Sequence, residues 1–171
     1  MKKIIFVLLT LYSFQTFAAS VHVSPELKIG PYYDHTQVVS GAGLQLGIAG
    51  VLNTQSIYVS YGHTSASFIH IDKDRLKTYR IGIQDNFFGL PDAMALQFEL
   101  GWVEYEGERN IFGNVQHKDG SGASIASAIV YNINDNIAVR VGLEFNIIDK
   151  SNTFLESNVS NILATGLIFT F

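Results

Sequence analysis

The chain has 171 residues, a length typical of a single domain. Its composition is 47% hydrophobic and only 15% charged, which excludes an intrinsically disordered chain. The net charge of −4 argues against a protein that binds nucleic acid through its phosphates, and the absence of cysteine excludes disulfides, thiolate metal sites and cysteine catalysis.

The first 19 residues have the layout of a secretory signal. A basic Met-Lys-Lys start is followed by the mostly apolar run 4–11 and, after it, by a segment that ends in two alanines. The apolar run is too short to anchor the chain in a membrane. We therefore expect cleavage near residue 19 and an exported domain of residues 20–171, which has nine basic and 15 acidic residues and a net charge of −6.

The exported part alternates apolar and polar side chains with a period of two, which predicts β-strands rather than helices. The segment 137–147 is the clearest, because every second residue is apolar from Ile137 to Ile147. Similar alternation predicts strands over 41–49, 56–62, 78–84, 94–103 and 162–171. A strand within 21–33 is interrupted by two prolines, and a strand over 122–131 is so rich in Ala and Ser that its two faces cannot be assigned.

Short and long connections alternate along the chain. Residues 51–54, 85–92 and 132–136 are rich in Asn, Asp, Gly and Pro and predict tight turns. The longer polar segments 64–75, 104–120 and 148–158, with a brief one near 34–39, are expected to be loops. This arrangement predicts an all-β fold, an eight-stranded antiparallel up-and-down barrel with both termini at the turn end.

The polar face of the strands carries few charges, and these indicate which face is inside. Arg80, Glu99, Arg140 and Glu144 are interleaved with Gly, Ala, Ser and Gln, a mixture that suits a narrow interior better than a water-facing surface. We therefore predict a transmembrane barrel whose apolar face contacts lipid. The four charges are expected to pair in a largely closed lumen, with Arg80 next to Glu99 across the 85–92 turn.

Aromatic residues stand near the predicted strand ends. Tyr61, Tyr79 and Trp102 lie at the loop end and Tyr131 lies at the turn end. Such positions suit rings that prefer the boundary between lipid and water.

The chain ends with Gly166-Leu167-Ile168-Phe169-Thr170-Phe171, which resembles the C-terminal aromatic signal of bacterial outer-membrane barrels. Leu163, Leu167, Phe169 and Phe171 would share one face of this strand. The exported chain as a whole resembles the small eight-stranded barrels of the OmpA-like and Ail/OmpX-like group. The resemblance implies a place in the outer membrane of a Gram-negative bacterium, contact with outer-membrane lipids and recognition by the barrel-assembly machinery. It also implies a structural or surface-interaction role, adhesion or envelope integrity, in which the extracellular loops would meet a host or surface protein.

Two alternatives remain open. The first is a lipid-modifying hydrolase, because His63-Thr64-Ser65 resembles the His-x-Ser pair of lipid A 3-O-deacylases, although no acidic partner is evident at a matching place. The second is a soluble periplasmic barrel that binds an apolar ligand. The five histidines fit no metal motif, so we expect no metal site. We also expect no cofactor and, apart from the hydrolase alternative, no enzymatic activity.

Overall fold

Eight antiparallel strands close into a barrel in chain order, and β8 pairs with β1. The computed structural model describes residues 20–31, 38–68, 72–111, 114–155 and 157–171, so the signal predicted for residues 1–19 lies outside it. The strands are β1 Ser20–Pro31, β2 Val38–Ala49, β3 Ser56–Phe68, β4 Asp72–Asp85, β5 Met94–Ile111, β6 Asn114–Asn132, β7 Ile137–Ile148 and β8 Val159–Thr170. The predicted all-β barrel is confirmed. Among the described residues no helix is long and apolar enough to cross a membrane.

The apolar face of each strand points outward. Leu143 and Leu167 are 48% and 45% exposed, whereas Arg140 is only 1% exposed. The two faces of β6 differ in the same way, since Ser124, Ala126, Ala128 and Val130 are buried while their neighbours are exposed. This orientation is that of a barrel in lipid and the reverse of a soluble barrel with an apolar interior.

The interior has three layers along the barrel axis. An apolar cluster lies at the loop end and consists of Leu76, Val103, Tyr105, Ile148 and Ile162. Polar and charged side chains fill the centre. A second, smaller cluster at the turn end consists of Ala95, Val130, Ala138 and Ile168. Tyr58 reaches across the polar layer because Gly82, on the next strand, leaves room for its ring.

The prediction of loops over 64–75 and 104–120 is wrong. β3 continues to Phe68, β4 begins at Asp72, and β5 and β6 meet at Ile111 and Asn114. These segments are polar, but they keep the period of two and therefore extend the barrel wall as paired strands. We call residues 64–68, 72–77, 104–111 and 114–121 the protruding sheet. The segment 148–158 does contain a loop, with a short 3-10 turn at Lys150–Asn152.

Candidate functional site

The four charges predicted for the lumen meet at the centre of the barrel, where all of them are buried. Arg80 Nε donates to Glu99 Oε2 over 2.7 Å, and its two Nη atoms donate to the Glu144 carboxylate over 2.8 and 3.0 Å. Arg140 Nη2 donates to Glu99 Oε1 over 3.2 Å. Each arginine thus contacts Glu99, and Arg80 joins two carboxylates from different strands.

Sequence reasoning missed two members of this network, Glu26 and Lys28 on β1. Lys28 Nζ lies 2.5 Å from Glu144 Oε1 and 3.3 Å from Glu26 Oε2, and Arg140 also contacts Glu26. The central network therefore contains three cations and three carboxylates and is neutral. The sequence does indicate that Glu26 and Lys28 face the lumen, because polar residues occupy the even positions from His22 to Lys28. Pro25 interrupts the strand pattern and obscures this alternation.

Uncharged polar side chains complete the shell around Glu99. Gln45 Nε2, Tyr58 Oη and Ser60 Oγ donate to its carboxylate over 2.9, 3.3 and 2.7 Å. Gln97 Oε1 accepts a hydrogen bond of 2.8 Å from Arg140 Nε. These bonds replace water around buried ions, a condition under which such ions can remain charged.

Three of the predicted boundary aromatics lie side by side on the outer wall. Tyr61 is opposite Tyr79 and Tyr79 is opposite Trp102, and all three are exposed. The Tyr61 and Tyr79 rings are 5.4 Å apart. Tyr131 is exposed at the other end of the barrel. The row of three aromatics and Tyr131 therefore lie at two different heights on the wall. Between these heights the exposed side chains are mainly apolar.

The C-terminal strand presents Leu163, Leu167, Phe169 and Phe171 on the outer face. The Phe169 and Phe171 rings lie 6.5 Å apart, and Phe171 is 75% exposed. The backbone N–H of Phe171 donates to the Val21 carbonyl over 3.0 Å, which ties the last residue to β1. Recognition of this face by the assembly machinery stays a prediction.

The outer face of the protruding sheet is charged, and the charges are ordered by strand. β4 presents Lys73, Arg75 and Lys77, whereas β5 presents Glu104, Glu106 and Glu108. Lys77 Nζ lies 2.5 Å from Glu106 Oε1 and Arg75 Nη1 lies 3.8 Å from Glu106 Oε2. The hydrogen bond from Lys77 lowers the pKa of the Glu106 carboxyl. The outer face is thus a solvated ladder of opposite charges.

His63 and Ser65 lie on the outer face of β3, next to this ladder. They stand opposite Lys77 and Arg75, and no hydrogen bond joins either side chain to another residue of the described part. Glu106 is close enough for His63 to lower its pKa, but that carboxylate is hydrogen-bonded to Lys77. The arrangement lacks the hydrogen-bonded base that a hydroxyl nucleophile requires. The described residues also contain no group of three or more His, Asp or Glu that could hold a metal ion.

Among the described residues, no strand pairs with the outer edge of β6 over residues 114–121. β5 pairs with β6 as far as Asn114, but pairing with β7 stops at Gly122, opposite Ile148, in the part of the chain that the structure describes. The N–H of Asn132 bonds to the Ala93 carbonyl, and the β5–β6 register is unbroken from there. Strict alternation then directs the backbone groups of Val115 and His117 away from β5. Residues 114–117 are all exposed, whereas Lys118 is partly covered by the β7–β8 loop, to which its Nζ donates hydrogen bonds.

Comparison with known proteins supports the fold. No model of a protein family matches the sequence, and no curated protein matches it. The structure of Ail, the attachment invasion locus protein of Yersinia pestis, is similar with a TM-score of 0.67 and 13% identity, over 90% of this chain and 97% of that one. The structure of Neisserial surface protein A is similar with a TM-score of 0.62 and 15% identity, over 90% of this chain and 97% of that one. The N-terminal β-barrel domain of Pseudomonas aeruginosa OprF is similar with a TM-score of 0.59 and 11% identity, over 88% of this chain and 97% of that domain.

The agreement covers nearly the whole of each barrel, at identities that carry information on the fold alone. These neighbours are small outer-membrane β-barrels of eight strands, and this chain likewise forms a closed barrel of eight antiparallel strands. The chain therefore has the fold of the small eight-stranded outer-membrane β-barrels, the Ail/OmpX-like group that the sequence resembles.

Proposed function

We propose that this protein is an outer-membrane barrel that binds a host or surface protein by strand addition to the outer edge of β6. The single observation that carries the proposal is the unpaired edge over residues 114–121. An edge strand offers a row of backbone donors and acceptors to which an extended partner segment can pair. The edge lies beyond the aromatic row of Tyr61, Tyr79 and Trp102, where a barrel of this orientation would project from the cell.

Two further observations support a surface role. β5 and β6 have 18 and 19 residues, against 12 in β7, so this sheet extends well beyond the lipid-facing wall. Its outer face is charged, as suits a sheet in water. Ail is named for attachment and invasion, and it has been solved in complex with the heparin analogue sucrose octasulfate. Those properties belong to Ail, and the shared fold makes them an analogy for this chain. We place the mature chain, after loss of residues 1–19, in the outer membrane among its lipids.

The proposal predicts that a proline in the edge abolishes binding. His117→Pro removes one backbone N–H that points away from β5 and leaves the β5–β6 ladder intact. We expect the adhesion of bacteria that display this variant to epithelial cells or immobilised matrix proteins to fall at least tenfold.

His117→Ala is the matched control, because it removes the imidazole and keeps the backbone donor. Surface amounts are equalised by labelling intact cells before adhesion is compared. Full adhesion of the proline variant would exclude strand addition, and an equal loss in both variants would assign binding to the histidine side chain.

A further inference from the structure

The loop between β7 and β8 folds inward against the protruding sheet. The Phe154 ring lies beneath two cations of that sheet, with Arg109 Cζ 4.7 Å and Lys118 Nζ 5.1 Å from the ring centroid. The backbone N–H of Phe154 donates to Tyr105 Oη over 3.2 Å. One aromatic residue of the loop is thus held by side chains of both β5 and β6.

The neighbours of Phe154 add further bonds. Lys118 Nζ donates to the carbonyl of Thr153 over 2.7 Å and to that of Ser151 over 3.3 Å. Thr153 is only 2% exposed, and Leu155 packs against the apolar cluster at the loop end. Asp149 begins the loop and accepts a hydrogen bond of 2.9 Å from the Ser151 N–H, which lowers the pKa of its carboxyl.

The sheet is shaped to receive this ring. Asp74 holds the Arg109 guanidinium through two bonds of 2.7 and 3.1 Å, so the cation is oriented independently of the loop. Gly107 stands opposite the ring, and a Cβ atom there would lie 2.8 Å from Phe154 Cδ2. A side chain at this position would displace the ring.

We infer that residues 149–155 form a latch that braces the β5–β6 hairpin and so holds its open edge in the conformation that a partner strand needs. The inference rests on the proposed function for its biological meaning, but the brace is a property of the chain alone. β7 pairs with β6 only up to Gly122, so in the part of the chain that the structure describes no strand pairs with the hairpin on that side beyond this residue. The latch provides support from β7–β8 instead. A braced edge loses less conformational freedom when a partner binds, which strengthens binding.

The test measures amide hydrogen exchange of the full mature chain in lipid nanodiscs, with no partner added. Phe154→Leu keeps an apolar side chain and removes the aromatic face. We expect the hydrogen-bonded amides of the hairpin over 104–111 and 114–121 to exchange about tenfold faster, since each cation–π contact contributes a small stabilisation. Phe154→Trp keeps an aromatic face and should retain slow exchange.

Phe145→Leu is the matched control, the same substitution on the lipid-facing wall of β7, and it should leave hairpin exchange unchanged. Lys118→Met removes the second cation and should reproduce the effect of Phe154→Leu, which guards against a variant that fails to fold. Wild-type exchange rates in both Phe154→Leu and Lys118→Met would overturn the latch. Because no partner enters the measurement, a failure of strand addition would leave this result standing, and the reverse also holds.

Discussion

Glu99 is the residue on which the lumen network converges. Its carboxylate accepts hydrogen bonds from two arginines, a glutamine, a tyrosine and a serine: Arg80, Arg140, Gln45, Tyr58 and Ser60. A buried cation that loses its carboxylate is left poorly compensated, at a cost of several kcal/mol. The stability of the barrel centre therefore depends on this side chain more than on any surface charge of the same strand.

We predict that Glu99→Ala lowers the free energy of unfolding by about 3–5 kcal/mol, measured by urea titration in lipid vesicles. Glu104→Ala, on the exposed face of β5, should change it by no more than about 0.5 kcal/mol. Equal effects of the two substitutions would show that the lumen ions contribute no more than surface charges.

Alternation of residue type predicts which charges enter the lumen, but not all of their partners. Arg80 and Glu99 flank a recognisable turn, so their proximity follows from counting residues along two strands. Glu26 and Lys28 could not be predicted in the same way, because Pro25 interrupts the pattern of their strand. They reach the network because β1 pairs with both β2 and β8 and so closes the barrel. Partners that meet across the barrel depend on register and side-chain length, which local periodicity does not determine.

At the scale of elements, strand positions follow from the pattern more closely than strand ends do. Low hydrophobicity over 64–75 and 104–120 suggested loops, yet cross-strand pairs such as Lys77 with Glu106 keep these segments extended. The open edge of β6 follows from the unequal lengths of β6 and β7, which composition does not reveal. The latch by Phe154 was equally invisible, since it joins a loop to residues 36 and 45 positions earlier.

The last strand carries a prediction of its own. Phe171 lies at the end of the outer face of β8, and its backbone pairs with Val21 whatever its side chain is. If the ring is an assembly signal, Phe171→Ala should reduce the folded barrel in the outer membrane several-fold, measured by heat-modifiable migration of the membrane fraction. Refolding of the purified Phe171→Ala variant into detergent should be unchanged. An Ile133→Ala control should leave the amount of folded barrel in the outer membrane unchanged. A variant that assembles normally in cells would remove this role from Phe171.

For the whole molecule, the arrangement is a neutral ionic centre inside an apolar wall, with a charged sheet projecting from one end. Its low charge content follows from this arrangement, because the wall is mainly apolar and only six charged side chains form the ionic centre. Placement of the protruding sheet outside the cell is the premise on which binding at the β6 edge depends. The chain contains no cysteine, so a single introduced thiol reports its own location without background.

Labelling with a membrane-impermeant maleimide tests this placement directly. His117→Cys at the β6 edge should react on intact cells, whereas Ile133→Cys in the turn at the opposite end should react only after the outer membrane is permeabilised. Labelling of Ile133→Cys on intact cells, or protection of His117→Cys until permeabilisation, would contradict the orientation and with it the role of the protruding sheet.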